Sequence, residues 1–281
     1  MQDDEAKLLD VDPSDLDHFT VDAFQRGRFF LVQPKGRGHR AGIDAMLLTA
    51  LVPPDANGIL ADFGAGAGAA GMAVAARNPK MAAVLVERSA VMADCARRSV
   101  ALPQNRGFAG RVSVVETDVT ARAADRRSAG LGDAYFDHVI MNPPFNSDAD
   151  RKTPDRLKAS AHSMPVAMYE YWIRAACAVC KASGQLSLIA RPELLSQIVE
   201  ACASRFGGLQ VTAIHPHPGA DAIRFLLTGI KGSRARLALR DPLFLRDGAG
   251  EELALDIDEL TNGRLFLSRN GAGSAGHCVY D

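Results

Sequence analysis

An apolar strand that runs straight into three closely spaced glycines constrains this chain more than any other stretch. Residues 58–63 are mostly apolar, and Gly64, Gly66 and Gly68 follow them before an alanine-rich segment. The glycines let the backbone take left-handed φ values and let a ligand approach closely. The helix start behind them offers free N–H groups to a carboxylate or phosphate, and Asp62 can accept from a ligand ammonium group. Dinucleotide-binding enzymes use similar turns, so the glycines alone do not identify the ligand.

Three further strand-like runs each lead to a polar residue, namely Glu87, Asp118 and Asn142. An acidic residue about 20 residues beyond the glycines sits where it can accept from ribose hydroxyls, which is the role expected of Glu87. Asp118 can accept from the exocyclic amine of an adenine ring, or it can be a turn residue or helix N-cap. Ligands of open parallel sheets bind outside the carboxyl ends of the strands. We therefore expect Asp62 and these three residues to face one crevice.

The fourth run ends in the sequence Asn142-Pro143-Pro144-Phe145. The two prolines fix φ and supply no N–H donor, so the turn is stiff and its carbonyls are free to accept. Asn142 offers one acceptor and two donors, and Phe145 offers an apolar face on which a flat ring can stack. Together they can hold a planar group that carries an amino nitrogen. The alternative is a rigid turn from strand to loop with no chemistry.

The second half of the chain predicts a helix from Val166 to about Lys181, which Gly184 ends, followed by further strands. Five residues of this helix repeat at helical spacing and are expected to pack on the sheet: Tyr169, Trp172, Ile173, Ala176 and Cys177. Cys177 and Cys180 have a redox-like spacing, but the sequence has no second pair for zinc, so we predict no metal site.

Composition limits the class of partner. The net charge is −1, so nucleic-acid binding would have to rest on local basic patches. Basic residues cluster in two places, which are either solvated loops or RNA contacts: Arg26, Arg28, Lys35, Arg37, His39 and Arg40, and later Lys231, Arg234, Arg236 and Arg240.

No apolar run approaches the roughly 20 residues of a membrane helix, so we expect no membrane partner. The five cysteines are an odd number without framework spacing, which favours a reducing, cytoplasmic location.

The composition along the chain predicts three segments. Residues 1–22 are acidic and poor in apolar side chains, which is typical of a mobile tail. Residues 23–250 form the main domain, and residues 251–281 form a C-terminal extension. A long polar loop at 146–164 lies beside the proposed site and is either a lid over it or plain solvated chain. The sequence does not indicate the oligomeric state.

These motifs resemble those of the class I S-adenosylmethionine-dependent methyltransferases. Residues 62–68 are similar to the cofactor loop of that family, and Glu87 and Asp118 match its ribose and adenine ligands. The resemblance implies a Rossmann-like, seven-stranded, mostly parallel sheet with helices on both faces and an antiparallel final strand. It also implies that Asn142, which contacts cofactor as well as substrate, Pro143 and Phe145 are catalytic. These residues resemble the tetrapeptide of the branch that methylates planar nitrogens.

A narrower likeness concerns residues 39–48, ahead of the glycines. This segment is similar to the "small-domain" bacterial group that includes the tRNA1(Val) adenine-37 N6-methyltransferase, although His39 and residues 41–42 depart from the pattern of that group. The resemblance implies that Arg40 lies near the cofactor. It also implies a tRNA substrate and adenine N6 as the methylated atom.

Direct displacement at the methyl group is the mechanism that these residues suggest. If the Asn142 side chain and the Pro143 carbonyl accept the two hydrogens of an exocyclic amine, its nitrogen can pyramidalise as charge develops. Phe145 would stack on the base, which must be swung out of a folded RNA. Alternative substrates are guanine N2, a glutamine amide in a protein, or a small-molecule hydroxyl, and a binding module without catalysis is a further alternative.

Overall fold

The computed structural model describes residues 18–35, 40–143, 164–248 and 252–269, and for 164–167 only the backbone. Within these ranges the strands are β1 (Phe19–Phe24), β2 (Phe29–Pro34), β3 (Gly58–Phe63), β4 (Met81–Glu87), β5 (Val112–Glu116), β6 (Phe136–Met141), β7 (Cys180–Ala190), β8 (Phe206–His215), β9 (Arg224–Lys231), β10 (Ala238–Leu239) and β11 (Leu243–Phe244). The α-helices are α1 (Ile43–Thr49), α2 (Ala69–Arg77), α3 (Ala90–Ala101), α4 (Arg106–Ala109), α5 (Ala123–Ser128), α6 (Met164–Val179), α7 (Leu195–Cys202) and α8 (Leu255–Thr261). Short 3₁₀ turns occupy Pro103–Asn105 and Pro192–Leu194.

A large mixed sheet forms the centre of the molecule. Its strand order is β10-β8-β9-β7-β6-β3-β4-β5, and β11 also pairs with β8. Every pair is parallel except those that β9 makes with β7 and β8. The connection from β8 to β9 is too short for a parallel crossover, so β9 has to run antiparallel. The predicted Rossmann-like, mostly parallel sheet is confirmed. Within the described residues it has nine strands and not the predicted seven, because the two-residue strands β10 and β11 extend it along the outer edge of β8. The antiparallel strand, β9, is therefore not the final strand, contrary to the prediction.

The side chains of alternate strand residues lie in two apolar layers, one on each face of the sheet. One layer holds Leu60 and Ile140 and is covered by α1, α2, α3 and α8 together with β2. The other holds Ala61 and Val139 and is covered by α6 and α7. This alternation is the period of two expected of strands that are buried on both faces. In the described part of the chain, none of the helices combines the length and apolar character that crossing a bilayer demands.

A separate hairpin of β1 and β2 docks on the first layer. The backbone N–H of Val32 donates to the Ser99 hydroxyl at 2.8 Å, and the Asn105 side chain accepts from the N–H of Phe30 and donates to its carbonyl. Ser99 and Asn105 are fully buried and satisfy backbone groups of β2 that no neighbouring strand reaches. The predicted acidic tail included residues 19–22, which instead form most of β1; residues 1–17 lie outside the described part.

The C-terminal segment also packs on the core. The side chains of Ile257 and Leu260 in α8 are buried against α1, and Leu267 donates its N–H to the carbonyl of Ala50 at 3.0 Å. Contacts then join this segment to the N-terminal hairpin. The Gln25 side chain donates to the Thr261 carbonyl, 236 residues further along the chain. The described residues of the predicted extension are thus part of the same core as the main domain.

The structure corrects one predicted helix end. The helix predicted to run to Lys181 ends at Val179, and both Cys180 and Gly184 lie in β7. A Cβ atom on Gly184 would lie 2.5 Å from the Cys180 sulfur and 2.9 Å from the Asp137 carbonyl oxygen. Gly184 is therefore needed for close packing between β6 and β7, and it does not end a helix.

Candidate active site

Strand register brings the predicted polar residues to one edge of the sheet. Phe63 lies opposite both Val86 and Met141, so the carboxyl ends of β3, β4 and β6 are level. The N–H of Thr117, just after β5, donates to the carbonyl of Glu87 at 3.0 Å. Four sequence-predicted residues follow or end these strands at this shared edge: Asp62, Glu87, Asp118 and Asn142.

The three glycines all take the left-handed φ values that the sequence predicts: +69° at Gly64, +57° at Gly66 and +97° at Gly68. A Cβ on Gly64 would lie 2.6 Å from the Trp172 ring, and one on Gly68 would lie 2.7 Å from the Leu85 side chain. On Gly66 the nearest atom would be 3.7 Å away. Gly66 is thus the glycine that the protein does not itself crowd, which is what close approach of a ligand requires.

Trp172 of α6 contacts the glycine loop from the second apolar layer. It is 8% exposed, as predicted for a residue packed on the sheet, and its ring covers Gly64. It is also the chain's single tryptophan. Its fluorescence can therefore report on changes at this loop.

Asp62 lies beneath α2, where it is 3% exposed. Its Oδ2 accepts from the N–H of Gly71 at 2.8 Å and so satisfies a donor of the first helical turn. Burial raises the pKa of Asp62 to about 7; the Gly71 N–H opposes the rise and the charge of Glu87 adds to it. A carboxyl at this position is sensitive to any cation placed beside it.

Glu87 ends β4 and joins two loops. Its Oε2 accepts from the N–H of Gly66 at 2.9 Å, and its Oε1 accepts from the N–H of Ser89 at 2.8 Å. The hydroxyl of Ser89 in turn accepts from the N–H of Met92 and so caps the start of α3. These two hydrogen bonds of the carboxylate fix the Glu87 side chain. Each carboxylate oxygen keeps a further lone pair, so Glu87 can still accept from hydroxyl groups.

Asp118 is half-buried after β5. Its Oδ1 accepts from both the N–H and the hydroxyl of Thr120, each at 2.7 Å. This is the turn role that the sequence left open for Asp118. Its second oxygen lies 4.0 Å from the Arg88 guanidinium and is not used by the turn. The turn role and an adenine-binding role are therefore compatible.

Asn142 carries one of the two predicted catalytic acceptors, and the other is the carbonyl of Pro143. Its Oδ1 is buried and has no hydrogen-bond partner in the part of the chain that the structure describes. Pro143 follows it and is buried. An unsatisfied buried acceptor costs about 1–3 kcal/mol, and at the edge of the sheet that carries the other predicted site residues a ligand donor would remove that cost. Phe145, Pro144 and the loop to residue 163 lie outside the described residues.

Arg40 takes part in an ion pair at the hairpin. Its guanidinium lies 2.7 Å from the Asp22 carboxylate and also donates to Thr20 at 3.1 Å. Asp22 accepts from Gln33 as well, and the Gln33 oxygen accepts from the N–H of Ala41. These contacts fix the entry to α1; a position beside the cofactor stays a prediction for Arg40.

Sequence reasoning missed an ion pair at the same edge of the sheet. The Arg224 guanidinium at the start of β9 lies 3.0 Å from the Asp44 carboxylate at the start of α1. Both side chains are less than a quarter exposed. Because β9 runs antiparallel, its first residue lies at the edge where β6 and β7 end. The partners are 180 residues apart in the chain, so no local pattern could reveal the pair.

An α/β sheet of this order, with a glycine loop and acidic residues at one edge, defines a nucleotide-type cofactor fold. Residues 40–215 match the family described as "Methyltransferase small domain", which is more than half of the chain. The chain belongs to this methyltransferase family. The match confirms the predicted fold class and S-adenosylmethionine as the cofactor.

Three similar proteins illustrate the range of the likeness. Ribosomal RNA small subunit methyltransferase C of Aeromonas hydrophila is 33% identical over 104 residues, which are 36% of this chain and 25% of that protein. The match thus spans about a quarter of the curated relative. A solved structure described as a predicted O-methyltransferase, Atu636 from Agrobacterium tumefaciens, is 49% identical with a TM-score of 0.71, over 81% of this chain and 100% of that one. A Thermus thermophilus 16S rRNA N2 G1207 methyltransferase, in complex with AdoMet and guanosine, is 18% identical with a TM-score of 0.49, over 76% of this chain and 50% of that one.

Proposed function

We propose that this protein transfers a methyl group from S-adenosylmethionine to an exocyclic amine of a nucleobase in RNA. The observation that carries the proposal is the Oδ1 of Asn142 at the carboxyl end of β6, which is buried and has no hydrogen-bond partner among the described residues. An exocyclic amine has two hydrogens to donate, and it does not need a base to remove a proton before it attacks the methyl group. An acceptor suits such a group. A hydroxyl could donate to the same oxygen, but its methylation calls for a base or a metal to take its proton, and an amide oxygen is neither.

The residues present fit the cofactor. A Cβ on Gly66 would meet nothing closer than the Met92 side chain at 3.7 Å, and Glu87 and Asp118 keep oxygen lone pairs for ribose hydroxyls and an adenine amine. Asp62 is the proposed acceptor for an ammonium group, whose charge would favour its ionised form. When bound, S-adenosylmethionine supplies an electrophilic methyl group on a positively charged sulfur.

Asn142 and Pro143 are the proposed catalytic residues. The Asn142 Oδ1 and the Pro143 carbonyl accept from the two amine hydrogens, which draws the nitrogen lone pair out of conjugation with the ring. Acceptors fixed in advance stabilise the positive charge that develops on the nitrogen as it gains the methyl group. The extra proton then leaves to water. Stacking of the base on Phe145 stays a sequence-based prediction.

Within RNA, the proposed substrate is adenine N6 in tRNA. The resemblance of residues 39–48 to the small-domain group that includes an adenine N6-methyltransferase supports it, whereas residues 142–145 suit adenine N6 and guanine N2 alike. Guanine N2 in ribosomal RNA is the second candidate, favoured by the sequence match to a protein named as a ribosomal RNA methyltransferase. On the protein surface, the exposed Arg234 and Arg236 are proposed RNA contacts. Lys231 and Arg240 of the same cluster donate to backbone carbonyls.

The test is incubation of the purified protein with labelled S-adenosylmethionine and, in separate tubes, unmodified tRNA transcripts, small ribosomal subunits and total cell protein. Label recovered as N6-methyladenosine from tRNA supports the full proposal, and N2-methylguanosine from ribosomal RNA supports the second candidate. Label in protein alone would refute the RNA claim.

The Asn142→Ala variant tests the mechanism. We expect kcat to fall by about 10²–10³, the usual loss when one group that stabilises transition-state charge is removed. Asn57→Ala, which truncates an exposed asparagine at the opposite edge of the sheet, serves as the matched control and should keep full activity. Unchanged transfer by Asn142→Ala would rule out the proposed role of this residue.

A further inference from the structure

Several buried polar side-chain atoms lack a hydrogen-bond partner in the part of the chain that the structure describes, among them Nδ1 of His138 and Oε1 of Gln197. Besides the Oδ1 of Asn142, one of them is the hydroxyl of Tyr169 in α6. The side chain is 1% exposed, and its ring packs with Phe63 and Met141 in the second apolar layer. Buried tyrosine hydroxyls usually find a partner, because an unsatisfied one costs free energy in the folded state. The helical pattern explains the buried ring of Tyr169 but does not explain the hydroxyl.

The position of Tyr169 points to the substrate side of the crevice. Tyr169 precedes Trp172 by three residues and so shares its helix face, and Trp172 covers Gly64 at the end of β3. The guanidinium groups of Arg191 and Arg224 lie close enough to lower the pKa of Tyr169, although burial outweighs them and raises it. The phenol therefore stays protonated and can donate.

Arg191 and Arg224, whose charges act on this hydroxyl, lie at the edge of the sheet that carries the candidate site. Arg191 directly follows β7, and Arg224 begins β9 opposite it, since Ala190 pairs with Phe225. β7 lies beside β6, where Met141 pairs with Leu188. Asn142 and Pro143 thus lie at the same level, one strand away. Glu87 and Asp118 lie on the other side of β3.

Resting on the proposed function, we propose that Tyr169 is a specificity-determining residue that donates to the ring nitrogen beside the methylated amine. In adenine, a ring nitrogen with a lone pair lies next to the carbon that bears N6, and the same arrangement exists beside N2 of guanine. A donor at Tyr169 and an acceptor at Asn142 match this pair of groups. A base bound in this way would satisfy both buried polar atoms at once.

The first experiment compares Tyr169→Phe with Tyr171→Phe, a matched control that removes an exposed hydroxyl from the same helix. On tRNA transcripts, Tyr169→Phe should lower kcat/KM at least tenfold, while cofactor binding, followed by Trp172 fluorescence, stays within twofold of wild type. Its Tm without substrate should be equal or higher, because an unsatisfied buried group has been removed. Tyr171→Phe should match wild type in all three measurements.

The second experiment uses tRNA transcripts in which the methylated adenosine is replaced by 1-deazaadenosine, which carries C–H in place of N1, the ring nitrogen next to the carbon that bears N6. For wild type, kcat/KM should be at least tenfold lower on the analogue than on the natural base. For Tyr169→Phe, which lacks the hydroxyl, kcat/KM should be the same on both. Losses that multiply would show that the two atoms do not meet and would overturn the inference.

The two proposals fail in different ways. Absence of transfer by wild type to any RNA would refute the proposed function. If wild type transfers methyl groups to RNA and Tyr169→Phe does so equally well, only the inference is overturned. A clear fall in the Tm of Tyr169→Phe would also overturn it, even without a known substrate, since it would mean that the hydroxyl has a structural partner.

Discussion

Asp62→Asn should make the free protein more stable above pH 7 while it weakens cofactor binding. Asp62 is 3% exposed, and its Oδ2 accepts from the N–H of Gly71. An asparagine oxygen can accept the same hydrogen bond, so the change removes the titrating proton and the charge with little change of shape. The two effects have opposite signs, which a general loss of structure would not produce.

The magnitude follows from the pKa of Asp62, which burial raises from 3.8 to about 7. Between these pH values the folded protein keeps a proton that the unfolded chain has released. The unfolding free energy of the wild type therefore falls as pH rises, by up to about 1.4 kcal/mol per pH unit. Across this window the loss reaches about 4 kcal/mol, and Asp62→Asn should escape it.

Urea unfolding of both proteins at pH 5, 6, 7 and 8, without cofactor and followed by Trp172 fluorescence, measures this difference. The stability of Asp62→Asn relative to wild type should grow steadily up to about pH 7 and then level off. Asp94→Asn removes the same charge from an exposed site on α3 and should show no such trend. A constant difference between wild type and Asp62→Asn across the series would refute the reasoning. At pH 8, cofactor affinity of Asp62→Asn should fall at least tenfold if Asp62 accepts from the ammonium group.

Three further substitutions test the loop and the hairpin. Gly66→Ala should weaken cofactor binding at least tenfold in a Trp172 fluorescence titration, yet cost only about 1–2 kcal/mol of stability, the penalty of a left-handed φ. Gly64→Ala should cost clearly more, because its Cβ would lie 2.6 Å from the Trp172 ring, and the opposite ranking of Tm values would contradict this account. Asn105→Ala should cost about 2–4 kcal/mol in urea unfolding, since the backbone N–H and carbonyl of Phe30 lose their partner. Unchanged stability would mean that the hairpin docks by apolar packing alone.

The sequence was most informative where chemistry and backbone geometry coincide. Gly64, Gly66 and Gly68 could be assigned left-handed conformations because a tight turn between a strand and a helix needs them. Glu87 and Asn142 could be placed at one edge because parallel strands deliver their carboxyl ends together. Both expectations depend on short stretches of chain, and the structure bears out both.

Features that depend on distant residues were beyond the sequence. Asp22 was assigned to the acidic tail because its ion-pair partner, Arg40, lies 18 residues further along the chain. Gly184 read as a helix end because its neighbour, the carbonyl of Asp137, belongs to another strand. Tyr169 was predicted to pack in the core because the helical spacing of apolar residues indicates where its ring lies. That spacing does not indicate whether the hydroxyl has a hydrogen-bond partner.

The contact between the N-terminal hairpin and α8 has a consequence for synthesis of the protein. Arg26 pairs with Asp258, and Gln25 reaches Thr261, so the hairpin meets a helix made more than 230 residues later. While the chain grows on the ribosome, the face of α1 that α8 covers stays open to solvent. Contacts of such sequence separation close late and slowly. The nascent chain therefore carries an exposed apolar surface through most of its translation, and that surface is the natural place for a chaperone to bind.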